Sequence, residues 1–191
     1  MTQKLKVGFG IAGFVLLIIA AVIAYNALKG RVPGDGLAAP TPEQSAADRQ
    51  KAPDFSMTDS EGNTVKLSDL LKNGKPIVLN FWASWCGPCK SEMPEFETVY
   101  KDLGGDVQFV MLNMTDGQRE TKETAASYVA QQGYTFPVFF DTERQAGAYA
   151  YGITGIPTTF FIDKDGYIVS SWQSAMTEQN LRSKIDLIWK T

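Results

Sequence analysis

The chain has two cysteines, Cys86 and Cys89, which stand two residues apart in the run Trp85-Cys86-Gly87-Pro88-Cys89-Lys90. The apolar residues 77–82 ahead of them are typical of a buried strand, and residues 92–103 after them are predicted to form a helix. A helix N-terminus presents unpaired backbone N–H groups and a partial positive charge, which stabilise a thiolate. Because the thiolate is the species that attacks a disulfide, this arrangement predicts a redox site for thiol–disulfide exchange.

Two other uses of a cysteine pair fit the sequence less well. A structural zinc site needs about four nitrogen or sulfur ligands, whereas this chain has two Cys and no His. Two inert core cysteines would not need Gly87-Pro88 between them or Trp85 before them. We therefore expect neither a metal site nor a cofactor.

Composition and charge limit the remaining classes of function. The 191 residues, of which 44% are hydrophobic and 20% charged, suffice for about one globular domain and an appendage. All four charges in residues 1–31 are positive, which leaves 14 basic and 21 acidic residues after them, a net charge of −7. An acidic domain argues against a nucleic-acid partner.

The appendage is an uncharged apolar run at residues 7–28. As a helix it would span about 33 Å, enough to cross a bilayer core. Lys4 and Lys6 favour a cytoplasmic N-terminus, although Lys29 and Arg31 weaken that bias. The alternative is a cleaved signal peptide, whose apolar region normally has about 7–15 residues. In both cases the cysteine pair is exported to a compartment where disulfides persist.

The sequence therefore divides into four parts. These are a cytoplasmic n-region at 1–6, a transmembrane anchor at 7–28, a Pro- and Gly-rich linker at 29–51 and a folded domain at 52–191. In the domain we expect strands at 55–57, 64–67, 77–82, 107–112, 136–140, 158–162 and 167–172, and helices at 68–71, 92–103, 119–132, 144–151 and from Thr177 onward. This order predicts an α/β fold with a central mixed sheet flanked by helices.

With the cysteine run at the end of a strand, the chain resembles thioredoxin-fold proteins. Pro94 lies where that family kinks its active-site helix, and Pro157 lies where it keeps a cis-proline beside the redox pair; a trans turn proline is the alternative. More narrowly, the chain is similar to membrane-anchored thiol–disulfide reductases of the ResA/TlpA type. The similarity covers roughly residues 52–190 and includes the apolar N-terminal run, the first hairpin, Cys-x-x-Cys-Lys-x-Glu-x-Pro, the inserted helix and strand within 113–141, and Gly-Ile-Pro-Thr-Thr-Phe.

The resemblance and the helix position assign roles to the cysteines. Cys86 at the helix cap is predicted to be the attacking thiol, and Cys89, one turn further in and more buried, to resolve the mixed disulfide. Gly87 and Pro88 allow the active-site turn to close, and no His is present to stabilise the thiolate. We expect a reducing potential, nearer the value of about −270 mV for thioredoxin than about −120 mV for DsbA.

A proton acceptor for Cys89 is the next requirement. Classical thioredoxins keep a buried Asp six residues before the first Cys, but here that position is Asn80, which cannot take a proton. Glu92 resembles the acid that the membrane-anchored reductases use instead, and a half-buried carboxylate near a thiol suits proton transfer. The alternative is that Glu92 only favours the first turn of the helix. Glu95 is interpreted as a solvated neighbour.

Three further residues are predicted to bind substrate. A cis bond before Pro157 would direct the backbone of Ile156 at a bound peptide. Trp85, next to Cys86, is predicted to lie at the surface and dock the partner, whereas Trp82 is assigned to the core.

The resemblance implies an anchored extracytoplasmic reductase of partner disulfides. Its implied substrate is the haem-binding cysteine pair of apocytochrome c, and a membrane thiol-reductant transporter would return electrons. A reductase for other envelope or spore proteins would use the same chemistry. A Cu(I)-binding or delivery protein could use the two thiolates, but the related copper chaperones add a His. A thiol peroxidase would carry Thr where this chain has Ala83.

Overall fold

Seven strands form one mixed sheet in the computed structural model, which describes residues 50–141 and 144–189. The strands are β1 (Ser56–Thr58), β2 (Thr64–Lys66), β3 (Ile77–Trp82), β4 (Gln108–Asn113), β5 (Val138–Phe140), β6 (Thr158–Ile162) and β7 (Ile168–Gln173). Their order across the sheet is β2-β1-β5-β4-β3-β6-β7. The central strands β3, β4 and β5 are parallel, and the flanking strands pair antiparallel. This confirms the predicted central mixed sheet.

Five helices accompany the sheet in the described residues: α1 (Leu67–Leu71), α2 (Gly87–Leu103), α3 (Lys122–Gln132), α4 (Ala146–Ala150) and α5 (Glu178–Trp189). The predicted range 92–103 began α2 five positions too late, whereas the predicted position of Cys86 at the helix cap is confirmed. Cys86 has an extended backbone and its sulfur accepts from Cys89 N, so it acts as the N-cap. Pro88 then occupies the first turn, where a missing N–H costs no intrahelical hydrogen bond.

Other boundaries moved for identifiable reasons. α3 begins three residues later than predicted because Thr121 and Thr124 form a reciprocal capping box, and it ends as predicted at Gly133 in the left-handed conformation. α4 is shorter than predicted because Arg144 and Gln145 have φ values of 53° and 56°, outside the right-handed helical region. β5 begins only after Pro137, which has no N–H for the strand ladder.

The core lies on both faces of the sheet, and every residue of β3 is buried. Because side chains alternate along a strand, Val78 and Trp82 join one cluster while Ile77, Leu79 and Phe81 join the other. The first cluster includes residues of α2 and the inner face of α5, namely Cys89, Met93, Phe96, Leu181, Ile185 and Ile188. Asn80 stands between Val78 and Trp82 in this alternation and so is on the face covered by α2.

The described fold includes residues before the predicted domain boundary at residue 52. Gln50 O accepts a hydrogen bond from Ile168 N at 2.8 Å, and Lys51 pairs with Tyr167 in an isolated bridge. These two residues therefore belong to the fold and not to the linker. The predicted n-region, the anchor at 7–28 and the rest of the linker lie outside the described residues. Within residues 50–141 and 144–189, no helix has the length and apolar character to cross a membrane.

Candidate active site

The cysteine pair lies at the junction of β3 and α2, at the carboxyl end of a central parallel strand. Cys86 and Cys89 form a disulfide, with their Cα atoms 5.2 Å apart. Cys86 N donates to Ala83 O at 3.1 Å, which closes the turn, and Cys89 N points at Cys86 Sγ at 3.1 Å. The positive end of α2 therefore faces the Cys86 sulfur, which favours its thiolate once the disulfide is reduced.

The two sulfurs differ in their access to solvent. The Cys86 residue keeps 4% of its surface exposed in the disulfide state, whereas Cys89 is completely buried. Cys86 Sγ lies 3.7 Å from Ile156 O, and the Ile156–Pro157 peptide bond is cis, the geometry that the resemblance implies. A disulfide sulfur carries no hydrogen, so this contact becomes a hydrogen bond only with a reduced thiol. The residues predicted to bind substrate thus flank the outer cysteine.

Glu92 is fully buried, more deeply than the half-buried position predicted for it. Its Oε1 accepts from Asn80 Nδ2 at 2.9 Å and its Oε2 accepts from Met176 N at 2.9 Å. Burial raises the pKa of this carboxyl to about 7, against the opposing effect of the two hydrogen bonds. Because α2 begins at Gly87, Glu92 is its sixth residue, so the alternative role in the first helical turn was wrong.

Three other predictions concern residues around the pair. Trp82 is buried, and Trp85 is 41% exposed, as predicted for a core residue and a surface residue respectively. Glu95 is not a solvated neighbour: it is partly buried and its Oε2 accepts from Glu178 N, at the first residue of α5. Pro94 lies inside α2.

Two functional candidates were missed in the sequence. Arg119 stacks on the Trp85 ring, 3.7 Å from its centroid. Glu120 is fully buried and accepts from both the backbone N–H and the hydroxyl of Ser84. Their only sequence signal is a pair of adjacent charges in a polar loop, which normally indicates a solvated segment. Contacts between residues 34 and 36 positions apart leave no local pattern in the sequence.

The described residues contain no group of three or more His, Cys, Asp or Glu side chains that could hold a metal ion. The chemical groups described at the site are the sulfur pair, the Glu92 carboxyl with a pKa near neutrality, and the donors of the helix N-terminus. Such a set can exchange disulfides and move a proton, because a buried carboxyl near neutrality both gives and accepts protons at physiological pH.

Comparisons with known proteins find thiol–disulfide oxidoreductases among the similar proteins. The AhpC/TSA family profile matches residues 49–171. Thiol-disulfide oxidoreductase ResA of Bacillus subtilis is 32% identical over 175 residues, which is 91% of this chain and 89% of that protein. Among solved structures, StoA from Bacillus subtilis matches with a TM-score of 0.59 and 27% identity, over 69% of this chain and 96% of StoA. A putative thiol:disulfide interchange protein DsbE from Chlorobium tepidum matches with a TM-score of 0.62 and 33% identity, over 72% of this chain and 94% of the DsbE chain.

Proposed function

This chain belongs to the AhpC/TSA family and is a thiol–disulfide oxidoreductase of the ResA type, and from this premise we propose that it reduces disulfides in partner proteins outside the cytoplasm while anchored to the membrane. The observation that carries the direction of the reaction is the environment of the pair. The Cys-Gly-Pro-Cys turn has one sulfur at a helix N-terminus and no His beside it. The absence of a His that would stabilise the thiolate further supports our proposal of a reduction potential nearer that of thioredoxin, about −270 mV.

The proposed reaction has two steps. The Cys86 thiolate attacks one sulfur of the partner disulfide, forming a mixed disulfide while the other partner sulfur leaves as a thiolate and takes up a proton. Cys89 then gives its proton to Glu92, and its thiolate attacks Cys86 Sγ. The bond to the partner breaks, and the second partner sulfur leaves and is protonated. Two electrons pass to the partner, and the pair becomes the disulfide present in this structure.

Glu92 is proposed as the proton acceptor for Cys89 because of three properties. It is on the same helix one turn further along, it is fully buried, and its pKa of about 7 leaves part of the population ionised at neutral pH. Asn80, at the position where thioredoxins carry an acid, has no titratable group. Ile156, Pro157 and Trp85 are proposed to hold the partner segment beside Cys86.

Residues 7–28 are proposed to be an uncleaved anchor, with residues 1–6 cytoplasmic and the catalytic domain extracytoplasmic. The support is their length of 22 residues without a charge and the two lysines that precede them. The proposed substrate is the haem-binding cysteine pair of apocytochrome c, with a membrane thiol-reductant transporter as electron donor. Other envelope or spore proteins with disulfides are the second substrate class, since the chemistry is the same.

Trapping tests the proposal directly. The reduced protein should reduce insulin disulfides, and Cys86→Ser should abolish this reaction. In native membranes, Cys89→Ser should accumulate covalent adducts with partners that dithiothreitol releases, because the mixed disulfide on Cys86 cannot be resolved. The matched control is the double variant Cys86→Ser, Cys89→Ser, which should trap nothing. Equal trapping by the double variant, or no reduction of insulin by the wild-type protein, would contradict the proposed function.

A further inference from the structure

A buried carboxylate other than Glu92 contacts the turn at residues 83–86, here called the redox turn. The proposed exchange reaction does not use this carboxylate. Glu120 is fully buried and accepts three hydrogen bonds: from Ser84 N at 2.8 Å, from Ser84 Oγ at 2.7 Å and from Asn113 Nδ2 at 2.6 Å. Ser84 stands two residues before Cys86, inside the turn that the Cys86 N–H closes onto Ala83 O. The carboxylate therefore fixes the backbone from which the outer cysteine is presented.

The residue before Glu120 holds the next residue of the same turn. The Arg119 guanidinium carbon lies 3.7 Å from the centroid of the Trp85 ring. Consecutive residues 119 and 120 thus contact consecutive residues 85 and 84, immediately before Cys86. A guanidinium over an indole contributes about 0.5–1 kcal/mol at an exposed site. The stacking favours the orientation that the exposed Trp85 ring has beside Cys86.

The segment that carries these contacts, residues 114–121, is itself fixed. Asp116 Oδ1 accepts from Gln118 N at 2.8 Å and from Glu120 N at 2.9 Å. Glu120 O accepts from the N–H groups of Asp116 and Gly117, both at 3.0 Å. Asn113, the third donor to the Glu120 carboxylate, ends β4 and pairs with Trp82 at the end of β3. The Glu120 carboxylate therefore connects the loop at residues 114–121, the end of β4 and the redox turn.

We propose that Glu120 is a positioning residue for Cys86, acting through its hydrogen bonds to Ser84, and that Arg119 orients Trp85 for a protein substrate. The part concerning Glu120 applies to exchange with any disulfide. The part concerning Arg119 rests on the proposed function, because it requires a protein partner. A small disulfide and a protein disulfide therefore test the two parts separately.

Two substitutions at Glu120 separate its hydrogen bonds from its charge. In Glu120→Gln, Oε1 can accept from Ser84 N and Asn113 Nδ2, while Nε2 donates to the Ser84 hydroxyl, which can act as an acceptor. All three contacts then remain without the charge. Glu120→Ala removes all three. We expect Glu120→Ala to slow reduction of a small aromatic disulfide about tenfold and to shift the pH midpoint of Cys86 alkylation, and Glu120→Gln to keep the wild-type rate.

The matched control is Glu97→Ala. Glu97, like Glu120, is buried, but it is on α2. It accepts hydrogen bonds from Thr135 N, Thr135 Oγ1 and Phe136 N, and these contacts do not involve the redox turn. The Glu97→Ala variant should be less stable than the wild-type protein but should keep its exchange rate and its pH midpoint of Cys86 alkylation. A wild-type rate in folded Glu120→Ala, an equally slow Glu120→Gln, or an equally slow Glu97→Ala would each overturn the positioning role.

If Glu120→Ala does not fold, Ser84→Ala provides the test, since it removes only the hydroxyl contact to Glu120. It should slow exchange about threefold and shift the Cys86 midpoint in the same direction; an unchanged rate and midpoint would overturn the proposal. For Arg119→Ala, KM for insulin should rise while the rate with the small disulfide stays unchanged. An unchanged KM would overturn the orienting role of Arg119 and leave that of Glu120 standing.

Discussion

Asn80 donates a hydrogen bond of 2.9 Å to Oε1 of Glu92, and both side chains are fully buried. The same amide nitrogen donates to Thr159 Oγ1 at 3.0 Å, so both amide hydrogens are used while Asn80 Oδ1 has no hydrogen-bond partner. This orientation of the amide stabilises an ionised Glu92, whereas burial stabilises the acid. The balance raises the pKa of Glu92 to about 7 and lets the carboxyl change its protonation state near neutrality.

Glu92→Gln should slow exchange with a model disulfide at neutral pH by at least about tenfold, because Gln cannot accept the Cys89 proton. It should also lower the pKa of at least one cysteine thiol, since a nearby carboxylate disfavours a thiolate. Stopped-flow exchange rates and the pH dependence of thiol alkylation measure both effects.

Glu95→Gln is the matched control for that substitution, because Glu95 is on the same helix but contacts Glu178 N. It should leave the exchange rate and the thiol titration unchanged. In Glu92→Gln the side-chain contacts can persist if the Asn80 amide turns over, since its Oδ1 is free to accept from Nε2. An unchanged rate together with unchanged thiol titration in Glu92→Gln would remove its catalytic role.

In the reduced protein, Cys86 should react with iodoacetamide before Cys89. Cys86 is the more exposed residue and its sulfur receives the Cys89 N–H at the helix N-terminus, whereas Cys89 has no exposed surface. Brief alkylation followed by mass spectrometry of the peptides identifies the order. Preferential labelling of Cys89 would reverse the assigned roles of the two cysteines.

The sequence predicted the parts of the site that depend on local patterns. The apolar run at β3 gave the correct bounds, Ile77–Trp82, and spacing along one helix connected Glu92 with the cysteines. The position of Cys86 at the helix cap was predicted, but the range 92–103 began too late because Gly87 and Pro88 have low helix propensity. The buried environment of Glu92 depends on Asn80 and Met176, which are far away in the chain, so its burial was underestimated.

The apolar segment at residues 7–28 should remain attached to the mature protein. A signal peptide normally has an apolar region of about 7–15 residues followed by a site of small residues. Here the apolar run has 22 residues, and its best candidate site, Val22-Ile23-Ala24, begins with Val in place of a small residue. Intact mass and N-terminal sequencing of protein from native membranes check this. A mature chain that begins near Tyr25 would show that the segment is a signal peptide.

The stability of the oxidised domain should fall as pH rises from about 5 to about 8. The pKa of Glu92 is raised from 4.5 to about 7 in the folded state, so the folded protein binds more protons than the unfolded chain in this window. Ionisation therefore costs about 2–3 kcal/mol of unfolding free energy, and the loss is complete above the folded pKa. Burial also raises the pKa of Asp141, which adds a slope of the same sign.

Urea denaturation of the wild-type protein and Glu92→Gln across that pH range isolates the contribution of Glu92, because Asp141 is present in both proteins. The variant should show the smaller pH dependence and should be relatively more stable at the alkaline end. Parallel curves for the two proteins would mean that Glu92 does not titrate in this window.

Asn80→Asp should raise the pH at which both the stability and the exchange rate change. The substitution replaces the amide nitrogen 2.9 Å from Glu92 Oε1 with a carboxylate oxygen, and two carboxylates in contact cannot both ionise at low cost. The pair then shares one proton, and its second apparent pKa lies above that of Glu92 in the wild-type protein. Urea denaturation should show the largest loss of stability at alkaline pH.

Thr159→Val is the control for this substitution, because it removes the other partner of the Asn80 amide without adding a charge. The loss of stability in Thr159→Val should be similar at every pH. If Asn80→Asp keeps the wild-type midpoint for exchange, the titrating group that controls the reaction is not Glu92.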